Sequence, residues 1–106
     1  MKQQPHPDKS EISLIGILAA LGDPVRLSII ASLRTEGEKG SSEFDCKVAH
    51  STLSHHIKQL REAGLIHHRK EGTRCFVSLR PDVEVLYPGL LDSVIKFAPE
   101  ADAETR

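Results

Sequence analysis

Aromatic side chains are scarce in this chain: it has no tryptophan, one tyrosine and three phenylalanines in 106 residues. A core must therefore be built from Leu, Ile, Val and Ala, and a chain of this length has room for one modest domain. Cysteine is almost as rare. Cys46 and Cys75 cannot form a disulfide framework, and two free thiols in a reducing compartment are the default. No apolar run approaches membrane-spanning length, and the opening MKQQPHPDKS lacks the apolar segment of a signal peptide. A cytoplasmic protein without a membrane partner is expected. Also missing are a Ser/His/acid order, a glycine-rich phosphate loop and paired-carboxylate spacing, so an enzyme is not expected, and neither is a cofactor.

What is present is an uneven distribution of charge. The net charge is −1, yet residues 46–80 carry seven basic groups against Glu62 and Glu71. Those seven are Lys47, Lys58, Arg61, Arg69, Lys70, Arg74 and Arg80, and five of the six histidines fall in the same stretch. A positive segment between acidic ends is the footprint of a phosphate-facing surface, although a solvated basic surface would carry the same charge.

Periodicity and breakers divide the chain into a flexible lead-in (1–9), a folded unit (10–98) and a frayed acidic tail (99–106). Ser10-Glu11 is expected to open a first helix with apolar Ile12, Ile15, Leu18, Ala19 and Leu21, ended by Gly22. Asp23-Pro24 restarts a second helix with a capping carboxylate and proline at the first position. Its stripe is Val25, Ile29 and Leu33. Residues 35–40 read as a polar loop, Ser41–Asp45 as a short capped helix, and Cys46–His50 as a turn. Ser51 then caps a helix running to Ala63, with Gly64 as its stop. Two strands, His67–Lys70 and Arg74–Leu79, flank the turn signal Glu71-Gly72. The last helical region is split by Pro88-Gly89, with Pro88 placed in the first turn of its second half. The expected fold is mainly α with a β-hairpin, in the order α-α-α-α-β-β-α.

On the helix Ser51–Ala63, Leu53, Ile57 and Leu60 fall on one stripe and should pack inward. Ser51, Thr52, His55, Lys58, Gln59 and Glu62 are left for the outer face, and all of these but Glu62, together with Ser54, are the candidate DNA contacts of this helix. Hydroxyls in the first turn, then imidazole, lysine and amide, can bond base edges and phosphates, with the helix N-terminus aiding. Residue types alone do not establish this, because most amphipathic helices bind nothing. Order does more: a short helix, a turn, an amphipathic helix and then a basic hairpin is the layout of a winged helix-turn-helix, with Arg69, Lys70, Thr73 and Arg74 at the wing.

The segment Ala20-Leu-Gly-Asp-Pro-Val-Arg-Leu-Ser-Ile-Ile30 resembles the second-helix signature of the ArsR/SmtB family of bacterial repressors. Ser51–Ile66 resembles that family's recognition helix and its exit into the wing, and Glu71-Gly-Thr-Arg74 resembles its wing turn. The resemblance implies a homodimer, joined by first and last helices, that binds palindromic double-stranded operator DNA and represses until an inducer releases it. It also maps the histidine of the family pattern onto His56, which lies beside the buried stripe and reads as a positioning residue. The apolar stripes Ile12/Ile15/Ala19 and Leu91/Val94/Ile95/Ala98 exceed what so small a unit can bury alone, which independently favours a dimer.

The resemblance does not extend to the family's metal sites. The helix before the turn offers only Cys46, and no histidine follows His68. Two other regulatory readings stand beside it: a redox switch between Cys46 and Cys75, and a metal site among His50, His55, His56, His67 and His68. Against the first, Cys75 shares a strand face with Val77 and Leu79 and so reads as filling space. Against the second, adjacent residues on a helix or strand point apart. A protein-interaction module on the same fold is the rival from another class. The inducer, the operator and the target genes are not written in the sequence.

Overall fold

The computed structural model describes residues 6–40, 50–72 and 74–98. The first described residues lie against the body of the fold: Asp8 caps a 3-10 turn, Lys9–Glu11, with Glu11 reaching back to the Asp8 amide at 2.7 Å. The first helix, α1 (Leu14–Leu21), starts later than the sequence suggests. Its cap is Ser13, whose hydroxyl accepts from the Gly16 amide at 3.0 Å. The later start changes which positions face inward. Ile17, Ala20 and Leu21 are buried, whereas the expected stripe members Ile15 and Ala19 are exposed.

At Gly22-Asp23 the path turns by 105° into α2 (Pro24–Glu36). Asp23 accepts from the amides of Val25 (2.9 Å) and Arg26 (3.1 Å), and Pro24 has no amide to leave unpaired. This start is the one expected, and α2 buries Ile29, Ile30 and Leu33.

Two departures follow. Residues 35–40 are not all loop: Lys39–Gly40 form a short strand, β1, paired antiparallel with a later strand, with Lys39 opposite Val77. The element order therefore contains a third strand that the hairpin reading lacked. The expected short helix Ser41–Asp45 and the turn up to Ala49 lie outside the described residues.

Helix α3 (His50–Glu62) begins at His50, so Ser51 lies inside it rather than capping it. It ends in two crossed hydrogen bonds, Gly64 amide to Arg61 carbonyl (3.0 Å) and Leu65 amide to Leu60 carbonyl (3.1 Å). This pattern needs a left-handed residue at its centre, and Gly64 has φ +86°. Glycine is required for a second reason. A Cβ here would stand 2.5 Å from Cγ1 of Ile12.

Strands β2 (Ile66–Glu71) and β3 (Arg74–Leu79) form the hairpin, in register from Ile66 opposite Leu79 to Glu71 opposite Arg74. The sheet order is β1-β3-β2. Alternation puts Val77 and Ile66 in the core and Phe76, Arg69 and Arg74 on the other face. The chain closes with α4 (Asp82–Leu86) and α5 (Leu90–Ile95). The split is where Pro88-Gly89 predicts it, but Gly89, at φ +81°, precedes α5 and Pro88 stays outside its first turn. Arg34 of α2 holds α5 through two bonds to Asp92, at 2.8 and 3.0 Å.

The core lies where α1, α2, α3 and the inner face of the sheet meet. Ile17, Ile29, Ile30, Leu60, Leu65, Ile66, Val77 and Val83 are its fully buried large side chains. Removing each from water contributes about 2 kcal/mol. No single helix among the described residues is long and apolar enough to cross a membrane.

Candidate nucleic-acid interface

Helix α3 divides as its periodicity requires. Leu53, Ile57 and Leu60 face the core, while Thr52, Ser54, His55 and Lys58 are exposed and Gln59 is half-buried. Thr52, His55 and Gln59 follow one another at helical spacing along the outer face, with Ser54 and Lys58 in a parallel row. The Ser51 side chain, Thr73 and Cys46 lie outside the described residues.

His56 is buried, at 9% exposure, and its Nδ1 accepts a hydrogen bond from Arg26 Nη1 at 3.2 Å. It thus packs beneath the outer face, as a supporting residue would. Asp23 lies 3.9 Å from the same nitrogen. Burial pushes the Asp23 carboxyl up, but the Arg26 amide, the neighbouring His56 ring and Arg26 guanidinium, and the Val25 amide together hold it below its ordinary value.

The wing's basic residues are not equally available. Arg69 donates to Glu71 at 2.6 Å and to Glu38 at 3.1 Å, and its guanidinium stacks 4.6 Å from the Phe76 ring centre. Arg74 is exposed and covers the same ring at 5.4 Å, so Phe76 is flanked by two guanidinium groups. Lys70 is half-buried.

The basic segment is thinner at the surface than its sequence count. Arg61 is buried at 6% exposure, with Nη1 donating to His68 Nδ1 at 3.2 Å. Arg80 is tied to Asp82 at 2.7 Å and to the Pro7 carbonyl at 2.7 Å. Together with the braced Arg69, three of the seven basic groups face protein rather than solvent.

The strand histidines also separate. His67 is exposed and stacks on His6, with ring centres 4.7 Å apart, while the His68 amide donates to His6 Nε2 at 2.9 Å. Contacts from His6 onward hold the lead-in against β2. Burial pushes His68 down from its ordinary 6.5 to about 4, aided by the neighbouring Arg61, His6, Lys70 and His67. Among the described residues no three His, Cys, Asp or Glu side chains converge as a metal site would need. Cys75 is a half-buried free thiol on the inner face of β3.

Sequence reasoning missed the Arg26–His56 bond, the burial of Arg61 and the Glu38 brace. Arg26 had a signal, since it stands in the distinctive Asp23–Arg26 run. The hairpin register sets Arg69 opposite Phe76. Nothing in the sequence marked Arg61.

This arrangement has relatives. A helix-turn-helix domain family matches residues 21–69. The chain is 40% identical over 82 residues to an uncharacterised HTH-type transcriptional regulator, YceK of Bacillus subtilis (strain 168), covering 74% of this chain and 82% of the relative. It is 28% identical over 90 residues to the arsenic resistance transcriptional regulator ArsR1 of Pseudomonas putida, covering 83% and 67% respectively. Among solved structures, the transcriptional repressor BigR from Xylella fastidiosa aligns with a TM-score of 0.54 at 25% identity, over 70% of this chain and 82% of that one. The relatives are transcriptional regulators, not enzymes, and this chain belongs to the ArsR/SmtB family of winged helix-turn-helix transcriptional regulators.

Proposed function

We propose that this regulator acts in the cytoplasm as a homodimer that binds a palindromic operator and represses transcription until an inducer releases it. The observation that carries the reading is the exposed polar face of α3 lying in sequence just before a wing that presents Arg74. In this reading Thr52, His55 and Gln59, with Ser51 in the first turn, meet base edges in the major groove, and Ser54 and Lys58 meet the backbone. Lys70, Thr73 and Arg74 extend contact to the neighbouring phosphates. Arg69 enters as a brace that holds the wing against Glu38 rather than as a phosphate ligand.

Dimerisation is supported by apolar surface that one chain leaves uncovered: Ile15 of α1 is 74% exposed and Phe97, just after α5, 79%. The repressor role draws on the name of BigR. A dimer places two copies of α3 on one face of the duplex, about one helical turn apart.

Genome-wide capture of bound DNA, followed by titration of the recovered duplex against a scrambled one, tests the reading. Saturable preference for the recovered duplex is expected. Equal affinity for both would sink it, and intact function after Lys58 and Arg74 are neutralised would favour a protein-interaction module.

A further inference from the structure

Arg26 lies in the first turn of α2, away from the outer face of α3, yet it joins three helices. Its Nε donates to the Ala20 carbonyl of α1 at 2.6 Å, and its Nη1 donates to His56 Nδ1 of α3 at 3.2 Å. Asp23 holds the Arg26 amide at 3.1 Å, which fixes where the side chain leaves the backbone. A guanidinium has no acceptor, so the bond to His56 defines the tautomer with its proton on Nε2.

We infer that Arg26 is a positioning residue for DNA reading, which sets the rotation of α3 about its own axis through His56. The inference rests on the reading of α3 as the DNA-contacting helix. Leu53, Ile57 and Leu60 anchor that helix by apolar contacts, which are non-directional and resist small rotations weakly. A hydrogen bond is directional, and this one is made by a buried side chain next to His55 in sequence. A rotation of about 10° moves a side-chain tip about 6 Å from the helix axis by about 1 Å. Base-edge hydrogen bonds tolerate only a few tenths of an ångström, so such a rotation would exchange one set of contacts for another. Arginine suits the task because its planar fork serves two acceptors at once, whereas a lysine nitrogen is a single point on a flexible stem.

The test uses the full-length protein with the duplex recovered by genome-wide capture and a scrambled duplex of equal length. Arg26→Lys and His56→Leu should each lose about tenfold in affinity for the recovered duplex and less than about twofold for the scrambled one. His56→Gln, which keeps an acceptor on the side chain, should retain most of the preference. The double variant Arg26→Lys/His56→Leu should bind no more weakly than the weaker single variant, because both remove one interaction. Thermal melting checks that each variant is folded. Should Arg26→Lys not fold, the contrast between His56→Leu and His56→Gln decides alone. Wild-type preference in both single variants, equal loss on both duplexes, or multiplying losses in the double variant overturns the inference. A wild-type protein without preference would instead fail the DNA reading itself, which the wild-type titration shows separately.

Discussion

Two histidine pairs, His55–His56 on α3 and His67–His68 on β2, divide in the same way and end in different chemistry. In each pair the first ring is exposed and the second turns inward to accept a bond from an arginine Nη1, at 3.2 Å in both cases. Around His56 there is a carboxylate, Asp23, 3.9 Å away. Around His68 the groups that bear on it are Arg61, His6, Lys70 and His67. The same residue pair therefore meets different surroundings depending on what the next element brings, and at His68 burial and these neighbours favour the neutral ring.

The largest way to break the comparison is at Gly64, which links the helix of one pair to the strand of the other. Gly64→Ala puts a Cβ 2.5 Å from Ile12 at a φ of +86° and should cost about 2–4 kcal/mol in urea unfolding. Next is the strand pair itself. The unfolded chain protonates His68 near 6.5 and the folded chain only near 4, so the unfolded state binds more protons in between. Stability is then full above about pH 6.5 and falls as pH drops toward 4. With solvent screening of a half-exposed ring, the loss should be on the order of 1–2 kcal/mol. His68→Gln should flatten that part of a stability–pH curve. A steep decline unchanged by the substitution would place its origin elsewhere.

On the helix side, Asp23→Ala removes a cap and should cost about 1 kcal/mol without altering the His68 titration seen by NMR. The smallest effects are expected at the exposed members. His55→Ala and His67→Ala should each change stability by less than about 0.5 kcal/mol. In the proposed function only His55→Ala weakens preference for the recovered duplex.

Much of this organisation is legible in the sequence where one residue type has one physical use. Asp23-Pro24 starts a helix, Gly64 ends one, and spacing separates Leu53, Ile57 and Leu60 from the polar face. Strand parity likewise places His68 and His67 on opposite faces. Illegible are features that depend on distant partners. Lys39–Gly40 is a strand only because the backbone of β3 lies beside it, and two residues carry no periodicity. Arg61 looks like one more surface cation, since nothing local shows that His68 and the sheet will cover it. The later start of α1 follows from the competition between Ser13 and Ser10 as caps, which the Asp8–Glu11 turn settles.

The brace between Glu38, Arg69 and Glu71 bears on counterion release. Each phosphate neutralised by a cation contributes about 0.9 to the slope of log affinity against log salt. In the proposed function, seven basic groups would give roughly 6 per chain, whereas Lys58, Lys70 and Arg74 together give roughly 3. In that reading operator binding weakens less steeply with salt than the sequence count of cations implies. More of the affinity then has to come from base contacts on α3 than from the phosphate backbone, still within that reading.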